Sequence, residues 1–292
     1  MTKPSVALIG AGAAGTAIAL ALRKTAYPIT AVASRSLASA NRSAALLDCE
    51  FFTTDLPAAS QQADLVIIAT SDGVIETVCQ TIADADGFAP QQLVIHLSGA
   101  MTSDALIAAR EQGADTLSLH PAQTMVEPQL AAESLKSAWF CLEGNDAGVQ
   151  RGRTIVDDIS GKSTVIDKDK KALYHAALSV SANYLIALES TAVELLTAAG
   201  IARKDALDFL MPLIQGSVDT LAHNGLPNAL TGPISRGDVA TIKKHLDSLA
   251  DATGTNLQLY KTMGLEALKL AEAKQKMVPG SESLIRNLLT DR

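Results

Sequence analysis

A doubly wound α/β domain followed by an all-helical domain is the architecture this sequence predicts, on three observations. Short apolar runs alternate with helical ones up to about Asp167. Runs such as "SVALIG", "ADLVIIAT" and "QQLVIHLSG" lack period-two alternation, as expected of strands buried on both faces of a largely parallel sheet. A glycine-rich turn joins the first run to the first helical stretch, as in a βαβ unit. Beyond Asp167 a helical period runs almost to Gly200, and everything after it reads as helix and loop. The expected domains are residues 1–168 and 169–292, with no flexible linker between them.

Taken in order, "SVALIG" leads into a helix over Ala13–Arg23, and "ITAVAS" into one after Ser36. "ADLVIIAT" leads into a helix near Asp72 and "QQLVIHLSG" into one near Ser103. "TLSLH", "AWFCLEG" and "STVID" complete the strands, with the helical "DAGVQRGRTIVDDIS" between the last two. The long helix "KDKKALYHAALSVSANYLIALESTAVELLTAAG" stops at Gly200, a C-terminal glycine. "ARKDALDFLMPLIQGSVDTLAHN", "DVATIKKHLDSLA" and "TNLQLYKTMGLEALKLAEAKQK" follow as helices, with the turn-rich "LPNALTGPISRGD" between the first two.

Composition narrows the function. The 292 residues carry a net charge of −7 and only 3% aromatics, the reverse of the basic, ring-bearing face of a nucleic-acid binder. Cys49, Cys79 and Cys141 are odd in number and scattered, which fits buried thiols in a reducing cytoplasm and no metal site. Val6–Leu22 resembles a signal-peptide apolar region, but its three spaced glycines serve no targeting purpose. A cytoplasmic chain that binds neither nucleic acid nor membrane is expected.

The first turn reads Gly10-Ala11-Gly12-Ala13-Ala14-Gly15. Alone the pattern is weak, but here it follows a strand and opens a helix. Gly10 allows the tight turn, Gly12 lets backbone approach a pyrophosphate, and Gly15 lets helix and sheet pack closely, which is the dinucleotide-binding Rossmann arrangement. The helix N-terminus supplies unpaired N–H groups for the anion. The second strand ends in Ser34-Arg35-Ser36, with no acidic residue for the ribose hydroxyls. Arg35 suits a 2′-phosphate, so NADP(H) is the expected cofactor, although Ser36 also suits a helix cap and Arg35 a solvated position. Thr70 and Ser71 would border the cofactor ribose, while Asp72 reads as a helix cap.

Ligands of open α/β sheets collect beyond the carboxyl ends of strands. "HLSGA" offers Ser98 and Gly99 there, and "LHPAQT" offers His120 and Gln123, with a buried structural histidine as the competing reading of His120. Further on, His175, Ser179 and Asn183 recur every fourth residue and share one helix face. Such a stripe is either solvated or one wall of a site. Hydride delivery needs a proton donor at the developing anion, and His175 is the candidate, with Ser179 and Asn183 orienting substrate. Lys170 and Lys171 are rival donors at the helix start, but a solvated basic cluster is the preferred reading of both. Arg236 can grip a carboxylate through two parallel hydrogen bonds, or can be an ordinary surface arginine, and Asp238 is expected to cap "VATIKKHL".

"GAGAAG", "HLSGA", "LHPAQT", "YHAALSVSANY" and "ALTGPISRGD", in this order and over essentially the whole chain, resemble a family of Rossmann-like oxidoreductases with a helical C-terminal domain of unknown function. Some members resemble an alternative ketopantoate reductase; relatives include 6-phosphogluconate, hydroxyisobutyrate and prephenate dehydrogenases and pyrroline-5-carboxylate reductase. The resemblance implies NADPH-dependent reduction of a small oxo-acid, with ketopantoate the leading candidate, and a homodimer formed through the helical domain. Imine reduction of the pyrroline-5-carboxylate type, or an NADP(H)-binding sensor without catalysis, are the alternatives. Hydroxyacid dehydrogenases carry a lysine and an asparagine four residues later on this helix. Counted back from "TAAGI", His175 and Ser179 stand at those positions, so the lysine mechanism does not carry over.

Overall fold

The computed structural model describes residues 2–250 and 256–290. Its contacts divide the chain into two compact units, Met1–Tyr184 and Leu185–Arg292. The first is built on an eight-stranded sheet in the order β3-β2-β1-β4-β5-β6-β7-β8. The strands are β1 (Val6–Ile9), β2 (Ile29–Ala33), β3 (Phe52–Thr53), β4 (Leu65–Ile68), β5 (Leu93–His96), β6 (Asp115–Pro121), β7 (Trp139–Gly144) and β8 (Lys162–Val165). All neighbours pair in parallel except β6 and β7, which are antiparallel.

Every residue of β1, β4 and β5 is buried, which explains their unbroken apolar runs. Alternation survives in which face each residue serves. Val6 and Leu8 of β1 join the core on one side, while Ala7 and Ile9 join the core on the other. Helices α1 (Ala13–Lys24) and α2 (Leu37–Leu47) cover the first face. Helices α3 (Leu56–Ser60), α4 (Ile75–Ala83) and α5 (Ile107–Glu111) cover the opposite one. Helices α6 (Pro128–Ser134) and α7 (Asp146–Asp158) return to the first face, through Ala132 and through Ile155 and Val156. Each fully buried aliphatic side chain here contributes roughly 1.5–3 kcal/mol by leaving water.

The sequence reading did not identify the short β3, α3 and α6. Two strand residues show no period, and α3 and α6 are one to two turns long with proline in the first turn.

The long helix expected after Asp167 is two helices, α8 (Lys171–Ser181) and α9 (Asn183–Ala198), preceded by a 3-10 turn over Lys168–Lys170. The break falls at Ala182, whose φ of −109° departs from helical geometry. Gly200, at φ +99°, ends the stretch as expected. The division between units falls after Tyr184 rather than near residue 168, because Lys171 and Tyr174 hydrogen-bond α8 to β6.

The second unit continues α9 with α10 (Arg203–Asn224), α11 (Gly232–Arg236), α12 (Val239–Ala250), α13 (Asn256–Lys274) and α14 (Ser281–Thr290). Its core is Ile242, Leu268, Ile285 and Leu289. Asp238 caps α12 by accepting from the Thr241 backbone N–H at 3.0 Å. Thr255, the expected start of the helix that becomes α13, lies outside the described residues.

Candidate active site

Two clefts open at the carboxyl ends of the strands in the first unit. The first, of about 510 Å³, is lined by Gly10, Ala11, Gly12, Ser34, Arg35, Ser36, Ser39, Thr70 and Ser71, among others. Ala13, Ala14 and Gly15 lie behind it, in the first turn of α1. The three glycines differ in what surrounds them. Gly10 has φ +105°, and a Cβ there would stand 2.6 Å from the Ala69 carbonyl oxygen. A Cβ on Gly15 would come 2.5 Å from that of Ala69, so α1 rests directly on the chain after β4. A Cβ on Gly12 would meet nothing within 4 Å. That open space lies at the N-cap of α1, where no side chain takes up the backbone N–H groups and no acidic residue opposes an anion.

These surroundings fit a dinucleotide. The pyrophosphate has donors and room at Gly12, and Thr70 Oγ1 is buried in the wall without a hydrogen-bond partner. Arg35 is exposed at the rim. Ser36 accepts from the Ser39 backbone N–H at 3.3 Å, so it caps α2 as well as lining the cleft. Ser39 and Arg42, hydrogen-bonded to each other at 2.9 Å, extend this polar rim beyond the expected residues.

The second cleft, of about 370 Å³, is lined by His120, Gln123, Thr124, His175, Leu178, Ser179 and Asn183, with neighbouring backbone. The stripe of His175, Ser179 and Asn183 thus forms one wall, and the turn after β6 forms the other. His120 and His175 stand edge to face, with ring centroids 6.0 Å apart. His120 Nδ1 and Tyr174 Oη are hydrogen-bonded at 2.9 Å, so the partner of this half-buried ring is a tyrosine, not backbone. Burial, with the charges of Lys171 and His175, pushes the His120 imidazole down to about 4, so it is neutral near pH 7. Gln123 is partly committed, accepting from the Thr124 N–H at 2.8 Å.

Three expectations are corrected. Ser98 does not line the cleft. It is 5% exposed, and its hydroxyl donates to Asp72 Oδ2 at 2.8 Å while accepting from the N–H groups of Ala100 and Met101. Asp72 is therefore no side-chain helix cap; its carboxylate is spent on Ser98, and the 3-10 turn it opens has no side-chain cap. Lys171 is not solvated. It is 0% exposed, with Nζ donating to Ser118 Oγ at 2.5 Å and to the Ser98 carbonyl at 3.3 Å. Lys170 is exposed and pairs with Asp169, as a surface lysine should.

Gly99, offered by the sequence beside Ser98, closes the arrangement. A Cβ there would fall 2.6 Å from His175 Cδ2 and 2.8 Å from His120 Nε2. His96, also fully buried, accepts from the Ser98 N–H through Nδ1 and contacts the Thr102 carbonyl through Nε2. Burial pushes it down to about 4. Arg236 belongs to the second unit, exposed at the end of α11. Among the described residues, no group of histidines, cysteines and carboxylates could hold a metal.

Residues 1–121 match a Rossmann-like domain, and residues 138–267 match the domain of unknown function DUF2520. Solved structures share the fold. A Bacteroides fragilis protein assigned as an NADP oxidoreductase is 24% identical, over 92% of this chain and 99% of that one, with a TM-score of 0.73. Protein TM1727 from Thermotoga maritima is 24% identical over the same shares, 92% and 99%, with a TM-score of 0.74. A pyrroline-5-carboxylate reductase from Coxiella burnetii is 16% identical, over 97% and 99%, with a TM-score of 0.61. No curated protein matches the chain.

Proposed function

We propose that this chain, a Rossmann-like domain joined to DUF2520, is an NADP(H)-dependent oxidoreductase that reduces a small carboxylate-bearing ketone, with ketopantoate the leading substrate. One observation carries the reading. The wall of the nucleotide cleft runs directly into the histidine pair: Thr70 and Ser71 line that cleft, Asp72 holds Ser98, and Gly99 lies against His120 and His175. Carbonyl reduction needs a nucleotide site and a proton-bearing site side by side.

Bound NADPH would supply the hydride, and the remaining work falls to the chain. His175 gives the proton to the developing alkoxide. His120, neutral at working pH, donates a ring N–H to the same oxygen and stabilises the charge that grows there. Ser179, Asn183 and Gln123 orient the substrate. Arg236 is proposed for the substrate carboxylate on its chemistry alone, which suits a guanidinium fork. Arg35, with Ser34, Ser36 and Ser39, favours the 2′-phosphate of NADPH over the bare ribose of NADH.

Imine reduction is the second reading. Among the described residues no lysine or arginine lines the second cleft, so a substrate without strong negative charge fits it equally well. The fold shared with a pyrroline-5-carboxylate reductase supports the same choice.

A second copy of the chain is the proposed partner. Helix α9 has no buried residue, and α10 exposes Leu207, Phe209, Met211, Leu213, Val218 and Leu221. The segment Lys168–Ala198 is long and apolar enough to cross a membrane, but Glu189 and Glu194 would be costly in lipid.

The deciding assay is NADPH oxidation with ketopantoate beside an NADH control, then with cyclic imines. Saturable turnover preferring NADPH supports the reading. Tight NADPH binding with no turnover on a broad carbonyl and imine panel would overturn it in favour of a sensor. His175→Ala should lower kcat by about 10²–10⁴-fold with NADPH affinity unchanged. Arg236→Ala should raise KM for the oxo-acid alone, by about tenfold or more.

A further inference from the structure

Lys171 is fully buried yet touches neither cleft. Among the described residues no carboxylate comes within ion-pair distance of it; its acceptors are one hydroxyl and one carbonyl. Burying an ammonium on those terms costs several kcal/mol, where an apolar side chain would pack without penalty. Packing alone therefore gives no reason for a lysine here.

We propose that Lys171 is the positioning residue of the candidate active site: it ties strand β6, the loop after β5 and helix α8 together, and so fixes how His120 is oriented and which ring nitrogen carries its proton. The assignment rests on reading the second cleft as the reductive site.

Three contacts carry it. Through Ser118, Lys171 grips β6 two residues before His120, on the same face of the strand. Through the Ser98 carbonyl, which also accepts from Ser118 Oγ at 3.3 Å, it fixes the residue before Gly99, whose backbone lies against both imidazoles. Through α8 itself it stands one turn before Tyr174 and His175, so all three share a face. A shift of Lys171 would be felt by all the elements around His120 together.

The charge acts alongside the geometry. His120 faces Lys171, Tyr174 and His175 from α8, Asp72 from the turn after β4, His96 from β5, and Cys141 across the sheet on β7. Burial is the main reason it is neutral; Lys171 reinforces this and Asp72 opposes it. On this assignment the Tyr174 hydroxyl, which also hydrogen-bonds Cys141, donates to Nδ1 and leaves the ring proton on Nε2, the nitrogen beside Gly99. That is the N–H a substrate oxygen needs.

The test is nitrogen-15 histidine NMR on the full chain, where only five histidines contribute and His120→Gln assigns the signal. In the wild type, His120 should be the Nε2–H form and should titrate near 4. In Lys171→Met the midpoint should rise by about one pH unit or more and the single tautomer should give way to a mixture. At pH 6 the same variant should lose about 10²-fold in kcat with NADPH affinity retained. A folded Lys171→Met with wild-type midpoint and tautomer would overturn the proposal. Should it not fold, Lys171→Gln, neutral but still a donor, carries the same expectation and the same refutation. Collapse of both variants would leave Lys171 a folding residue and overturn the assignment as well. The spectra require no substrate, so a chain inactive on every carbonyl and imine would sink the reductase reading without touching this result.

Discussion

Gly99 and Gly12 lack a side chain for opposite reasons. At Gly99 a methyl group would overlap both imidazoles, so Gly99→Ala must push the rings apart or move the loop. Misplacement of about 1 Å is enough to cost about 10²-fold in rate, so kcat should fall by that order while NADPH affinity holds. Stopped-flow NADPH binding beside steady-state turnover separates the two effects. At Gly12 a methyl group meets nothing, so Gly12→Ala should keep the wild-type Tm yet weaken NADPH binding by about tenfold or more, since it fills the pyrophosphate's space. Loss of Tm without loss of affinity would contradict a nucleotide there. Lys171 is the residue the sequence most misrepresents. Standing beside Lys168 and Lys170, it reads as one more surface charge, although it heads the same four-residue stripe as His175, Ser179 and Asn183. The stripe extended one turn backwards is the signal that could have found it.

Caps fix where helices begin, and hence where site residues point. Asn145 Oδ1 accepts from the Gly148 N–H at 2.9 Å to start α7, and its amide donates to Asp115 Oδ1 at 3.1 Å on β6. Asn145→Ala should cost about 1–2 kcal/mol in urea unfolding, because it removes both a cap and a tie to the strand that carries His120. A change below about 0.3 kcal/mol would place the register of β6 elsewhere. Helix α8 shows the limit of periodicity. The three polar residues do line one wall, although the helix breaks at Ala182 between Ser179 and Asn183. Hydrophobic period alone could not locate that break, because the apolar residues continue through it.

For the molecule as a whole, two buried neutral imidazoles set a pH dependence. His96 and His120 are both held near 4, whereas in the unfolded chain they bind protons near 6.5. Between those values the unfolded state holds more protons, so stability falls as pH falls from about 6.5 to about 4, with nothing gained above that window. Each group accounts for on the order of 3 kcal/mol across it. His96→Gln should flatten the decline in urea midpoint between pH 7 and 4.5, and a slope equal to wild type would show that another group titrates there. The proposed second copy makes a separate prediction. Sedimentation should find a dimer at micromolar concentration, and Phe209→Glu with Leu213→Glu should give a folded monomer. A wild-type monomer would leave those exposed apolar residues unexplained.

By itself the sequence determined the strand–helix alternation, the glycine turn on α1 and the change to helices after residue 167. These follow from local periods and backbone sterics, which the order of residues carries directly. It also put His120 and His175 among the site candidates, since both are titratable groups at strand ends or on a polar helix face. Only the tertiary structure decided which polar side chains are spent on one another. Ser98 turns to Asp72 and away from the cleft, His120 takes Tyr174 as its partner, and Lys171 buries itself against Ser118. Each partner is distant in sequence: 26, 54 and 53 residues away. Hydrogen bonds of that span depend on how strands, loop and helix meet, and no local pattern encodes that meeting.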